Sequence, residues 1–166
     1  MSRSLAVRWV GLILYVVSYF LPAVRTVDFG TSNGGFLPGY FCAFISMVWG
    51  VAGFIPGVGL TAEGQRFFRM LLLPGLTNPL LLVYFCLPVS KRVARVRRWI
   101  GGLVLVCMAW SWIFFLVYRD YIPAVGHYLW VIGLVMIVGP DLLQALAERK
   151  GGVARSKEAV APEQSE

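Results

Sequence analysis

The chain has 166 residues, of which 58% are apolar and only 14% charged, with a mean hydropathy of +0.74 and a formal net charge of +7. A soluble domain is about 45–50% apolar and about 25% charged, so this composition excludes both a soluble globular domain and a disordered chain. The charges leave gaps of 16, 34, 21, 20 and 20 residues along the sequence, and a spanning helix needs about 20 mostly apolar residues. The chain therefore reads as a polytopic, all-α integral membrane protein. About five hydrophobic segments make up one domain over residues 1–150, of which four or five span.

The first segment runs from Trp9 to Val24 and is short for the hydrocarbon core, so Arg8 and Arg25 are expected to snorkel at its ends. It follows two arginines, as a signal peptide would. However, Tyr19-Phe20-Leu21-Pro22 is bulky where cleavage needs small residues, so it reads as a retained helix. Residues 25–37 are a polar, Gly-rich connection with a turn signal at Asn33-Gly34. Pro38 and Pro56 then bracket a second segment, Tyr40 to Ile55, at a spacing close to one bilayer thickness.

Glu63, Arg66 and Arg69 place residues 58–69 in solvent or headgroups. The third segment, Met70 to Leu87, carries Pro74-Gly75 and Thr77-Asn78-Pro79. Each proline removes a helix hydrogen bond, so this segment reads as Pro-broken: either kinked, or irregular at 74–78 with Asn78 capping a helix that starts at Pro79. The basic loop, residues 88–99, holds Lys91, Arg92, Arg95, Arg97 and Arg98 and no acid. At about 100° per residue, Lys91, Arg95 and Arg98 share one face and Val93, Val96 and Ile100 the other, which suits a short amphipathic turn on the membrane surface. A fourth segment runs from Trp99 to Tyr118, and 119–127 are a link. The fifth ends near Val138, meets Gly139-Pro140-Asp141 and continues to Ala147. Residues 151–166 are rich in Gly, Ala and charge and read as a disordered cytoplasmic tail.

Candidate site residues are few. Neither a metalloprotease H-E-x-x-H nor a nucleophile elbow nor a P-loop is present. Cys42, Cys86 and Cys107 lie far apart and His127 is the single histidine, so no metal site and no cofactor are expected. His127 sits beside Tyr128 and Trp130, as in an interfacial aromatic belt. Gly50 and Gly53 suit close helix packing. Thr77 and Asn78 are the polar intramembrane candidates, because an unpaired amide in hydrocarbon costs several kcal/mol. Lys91, Arg92, Arg95, Arg97 and Arg98 are the candidates for anionic lipid headgroups. With no fold beside them to present them, nucleic acid is not expected.

Four short phrases, Ser18-Tyr19-Phe20-Leu21-Pro22-Ala23, Pro38-Gly39-Tyr40, Thr77-Asn78-Pro79-Leu80-Leu81-Leu82 and Gly126-His127-Tyr128-Leu129-Trp130, give the chain a likeness. It resembles small multi-spanning bacterial inner-membrane proteins of unassigned function. The resemblance implies a bacterial inner-membrane location and a helical bundle, and brings no catalytic residue.

The expectation for function is accordingly non-enzymatic: a small structural or regulatory subunit of a membrane assembly, as a homo-oligomer or with a membrane-protein partner. An oligomeric channel or carrier for a small solute, with Thr77 and Asn78 near the conduit, is the second reading. A lipid-modifying membrane enzyme is the third. Lys and Arg counts give 10 against 5 for five spans with the N-terminus outside, and 11 against 4 for four spans with it inside. Both schemes put the basic loop and the C-terminus in the cytoplasm.

Overall fold

A computed structural model describes residues 3–26, 35–55, 61–88, 90 and 92–158. It contains five helices: α1 (Arg3–Phe20), α2 (Gly39–Ala52), α3 (Ala62–Cys86), α4 (Ala94–Val117) and α5 (Val125–Glu158). Three of them, α3, α4 and α5, are long and apolar enough to cross a membrane. The remaining two are shorter apolar helices. At 14 residues α2 is about 21 Å long, against about 30 Å of hydrocarbon, so the proline bracket encloses a helix shorter than a span.

Of the two forms expected for the third segment, the irregular stretch at 74–78 is not the one observed. α3 is helical throughout its 25 residues with Pro74 and Pro79 inside it. Thr61, not Asn78, caps it, its Oγ1 accepting the Gly64 N–H at 3.1 Å. A long run of apolar neighbours on both sides carries the helix across two missing donors, which local propensity alone does not foresee.

The fold is also not purely helical among the described residues. Strands β1 (Pro22–Thr26), β2 (Phe36–Pro38) and β3 (Tyr121–Pro123) form a small antiparallel sheet in the order β2-β1-β3. Val24 pairs with both Leu37 and Pro123, so the two stretches read as linkers are stitched together. The prolines sit where strands tolerate them, at the start of the central strand and on the two edges. The Asn33-Gly34 turn lies outside the described residues, as do Pro56 and Lys91. α5 runs through Glu158, eight residues into the stretch read as a tail, and 159–166 lie outside the described residues.

Helix α1 packs on α5, α2 on α3, and α3 and α5 on α4. Glycines set two close seams, α1 on α5 and α2 on α3. At Gly11 an added Cβ would lie 2.9 Å from the Gly133 carbonyl oxygen, and at Gly133 it would lie 2.8 Å from that of Gly11. At Gly50 it would meet the Leu72 Cα at 2.6 Å, and at Gly75 the Ser46 backbone at 2.7 Å. These distances leave no room for a side chain, so the small residues let backbones approach, as expected of Gly50 and Gly53.

The core of Leu81, Tyr84, Val104, Leu134, Ile137 and Val138 lies between the second half of α3, the first half of α4 and the middle of α5. That end of the bundle holds the start of α1 and the start of α4. The sheet closes the opposite end, where α1 and α4 finish and α5 begins.

Candidate functional site

Two features concentrate polar chemistry. The first is a charge clasp at the end away from the sheet. Asp141, within the apolar run of α5, is paired with Arg8 of α1 through Oδ1. Its Oδ2 takes the Arg97 Nε at 3.0 Å and the Tyr84 hydroxyl at 2.5 Å. The Arg97 guanidinium also lies over the Tyr84 ring, 4.4 Å from its centre, a cation–π contact. One carboxylate thereby joins α1, α3, α4 and α5. A charge this deep in an apolar segment is tolerated only when paired, and this one is paired twice.

The second feature is a cavity of about 360 Å³ nearer the sheet, bounded by all five helices and by all three strands. Its wall is mostly apolar and aromatic, with Phe67, Phe114, Phe115 and Trp130 contributing rings. The serine hydroxyls on it are satisfied locally: Ser18 donates to the Tyr15 carbonyl at 2.6 Å, Ser46 to Ala43 at 3.1 Å and Ser111 to Met108 at 2.6 Å. Asn78 is different. Its Oδ1 accepts the Tyr15 hydroxyl at 2.7 Å, and Tyr15 in turn shares a 2.7 Å hydrogen bond with Tyr19. The Asn78 amide nitrogen has no protein partner among the described residues and belongs to the cavity lining.

His127 also lines the cavity, 7% exposed, among Trp112, Phe115 and Trp130 with ring centres 5.3, 4.9 and 5.4 Å away. Its Nε2 lies 3.5 Å from Ser111 Oγ. On the strand that rims the cavity, burial pushes the Tyr121 phenol up, and the Asp120 carboxylate adds to the shift.

The other sequence candidates fall as follows. Thr77 is fully buried and is not among the lining residues of the cavity, and its Oγ1 has no hydrogen-bond partner among the described residues. The basic loop divides. Arg92 and Arg95 are exposed with no ion pair among the described residues, whereas Arg98 pairs with Glu148 at 3.3 Å. Arg97 is buried in the clasp and is not a headgroup contact. The surface turn expected there is the first turn of α4. Cys42, Cys86 and Cys107 are free thiols, and no group of three metal-ligating side chains occurs among the described residues.

The clasp is not among the sites expected from the sequence. Two signals point to it. A lone acid in an apolar run demands a cation, and Arg97 falls at about 240° on the wheel that puts Lys91 at 0°, among Val93 and Ile100 rather than with the other charges.

In comparisons with known proteins, no family model, curated protein or solved structure matches this chain.

Proposed function

We propose that the protein is a non-enzymatic inner-membrane protein of four spans, a small structural or regulatory subunit of a membrane assembly. The observation that carries this reading is the clasp. The ionisable groups of the clasp, two guanidiniums held on one carboxylate, tie four helices together, which favours a scaffold over a proton or ion pathway.

The clasp also supports the topology. Arg8, Tyr84, Arg97 and Asp141 meet at one end, so the N-terminus, the basic loop and the last turns of α5 share a side. α2 lies in the sheet-side half: it leaves Leu21, whose carbonyl takes the Gly39 N–H at 3.1 Å, and ends against Phe68 and Arg69 near the start of α3. Four traversals with both termini together match the 11-to-4 distribution of Lys and Arg, with the clasp side cytoplasmic. Arg92 and Arg95 then face the anionic leaflet and hold its headgroups.

The outward face of α2, with Tyr40, Phe41, Phe44 and Met47, is rich in the residue types that interfaces favour, and it is the surface we assign to a partner helix. Purification in mild detergent tests the role: a stoichiometric membrane-protein partner, lost when Phe44 and Met47 are changed to Ala, supports it. A monomer that carries a solute flux in vesicles refutes it.

A further inference from the structure

We infer that the cavity is a binding site for a neutral, flat, two-ring lipophile bearing a carbonyl oxygen, the chemistry of a naphthoquinone ring. This inference does not rest on the subunit role, although Phe41 of α2 belongs both to the cavity wall and to the face assigned to a partner.

Size comes first. Protein interiors are close-packed, with few voids larger than a water molecule. At about 360 Å³ the cavity is more than twice the roughly 150 Å³ of an apolar cavity known to take up benzene. It therefore has room for two fused rings. The wall chemistry comes second. Phe67, Phe114, Phe115 and Trp130 offer ring faces and edges to a flat aromatic guest, and among the described residues no carboxylate, lysine or arginine lines the cavity. A charged ligand would meet no counter-charge there, so the guest is neutral.

The third argument is the amide of Asn78. Its oxygen is spent on Tyr15, and Tyr15 is held by Tyr19, so the chain Tyr19–Tyr15–Asn78 fixes the carboxamide and leaves its NH₂ group on the wall. The half-buried Asn78 side chain thus offers a donor on the cavity wall that suits a guest carrying an acceptor. A carbonyl on a ring provides one without adding a charge. Across the cavity, His127 presents a ring whose Nε2 faces Ser111, and Ser111 has already given its proton to Met108.

The test is equilibrium binding of radiolabelled 2-methyl-1,4-naphthoquinone to the purified full chain in detergent micelles, with empty micelles subtracted. One saturable site per chain is expected. 2-Methylnaphthalene, the same shape without carbonyls, should compete about tenfold more weakly, the scale of one net hydrogen bond. Asn78→Leu should weaken naphthoquinone by a similar factor and leave the hydrocarbon unaffected. Ala43→Phe, which fills the cavity from α2, should abolish binding of both while the protein still melts cooperatively. If Asn78→Leu does not fold, the comparison of the two ligands on the unmodified chain, together with Ala43→Phe, decides the matter. Equal affinity for the two ligands, unchanged binding in a folded Ala43→Phe, or a site that takes only phospholipid overturns the inference.

Discussion

Replacing Asp141 with Leu should leave two guanidiniums facing each other across α1 and α4 with no counter-ion. The paired side chains are only 21% (Arg8), 10% (Arg97) and 18% (Asp141) exposed, so water can relieve little of the repulsion. Removing one partner of a buried pair costs about 3–5 kcal/mol, and the residual exposure puts this case at the lower end, about 3 kcal/mol. At about 1.4 kcal/mol per decade that is a hundredfold or so in the folded-to-unfolded ratio, or about 6–12 °C in melting temperature for a chain of this size. Arg8→Met should cost less, about 1 kcal/mol, because Arg97 and Tyr84 still hold the carboxylate. Arg8→Leu, Arg97→Leu and Asp141→Leu combined should recover most of the loss, since apolar residues of similar volume replace a buried ion triad at little cost. The assay is thermal unfolding in micelles followed by tryptophan fluorescence. An Asp141→Leu protein melting within about 1 °C of the unmodified chain would refute the argument, because the penalty rests on those groups being shielded.

Other expectations follow from the same geometry. Gly133→Val should destabilise by about 1–3 kcal/mol and lower expression, because its side chain would have to displace the α1 backbone at Gly11 and Tyr15; unfolding in mixed micelles measures it. A reporter fused at either terminus should be fluorescent as green fluorescent protein and inactive as alkaline phosphatase, and an active phosphatase at either end would contradict the four-span scheme. Arg92→Gln with Arg95→Gln should reduce phosphatidylglycerol retained in native mass spectrometry, by about 1 kcal/mol of binding per charge, without moving the melting temperature. Arg97→Gln should do the reverse, lowering stability and sparing lipid retention.

Composition and charge spacing made the helical character legible, because long uncharged runs have few alternatives in lipid. Helix ends were less so. Pro38 does mark the start of α2, but α2 stops at Ala52, and residues 53–55 form a turn. The sheet was illegible for a different reason. Its strands are three to five residues long, hold prolines, and pair Val24 with Pro123, so nothing local signals them. At the candidate sites, Asn78 was found by its cost in hydrocarbon; the cap belongs to Thr61, and Asn78 bonds Tyr15 across helices. Asp141 was visible as an acid in an apolar run, but its partners lie 133 and 44 residues away.

The two ends of the bundle also explain why a cavity survives between them. A void in a helical bundle is eliminated when helices slide together, and the cost of keeping it depends on how far its surroundings can relax. Here α1 is fixed at one end by the Arg8–Asp141 pair and by the Gly11–Gly133 contact, which allows almost no further approach. At the other end its continuation, β1, is hydrogen-bonded on both edges, to β2 before α2 and to β3 between α4 and α5. Strand pairing holds backbones about 4.8 Å apart and resists both separation and overlap. Moving α1 or α5 into the cavity would break ladder bonds at the sheet or ion pairs at the clasp. The helices that wall the cavity are thus pinned above and below it, with Tyr15 and Asn78 bonded between the packed core and the space. A frame fixed at both ends keeps the interior open until something of the right shape fills it.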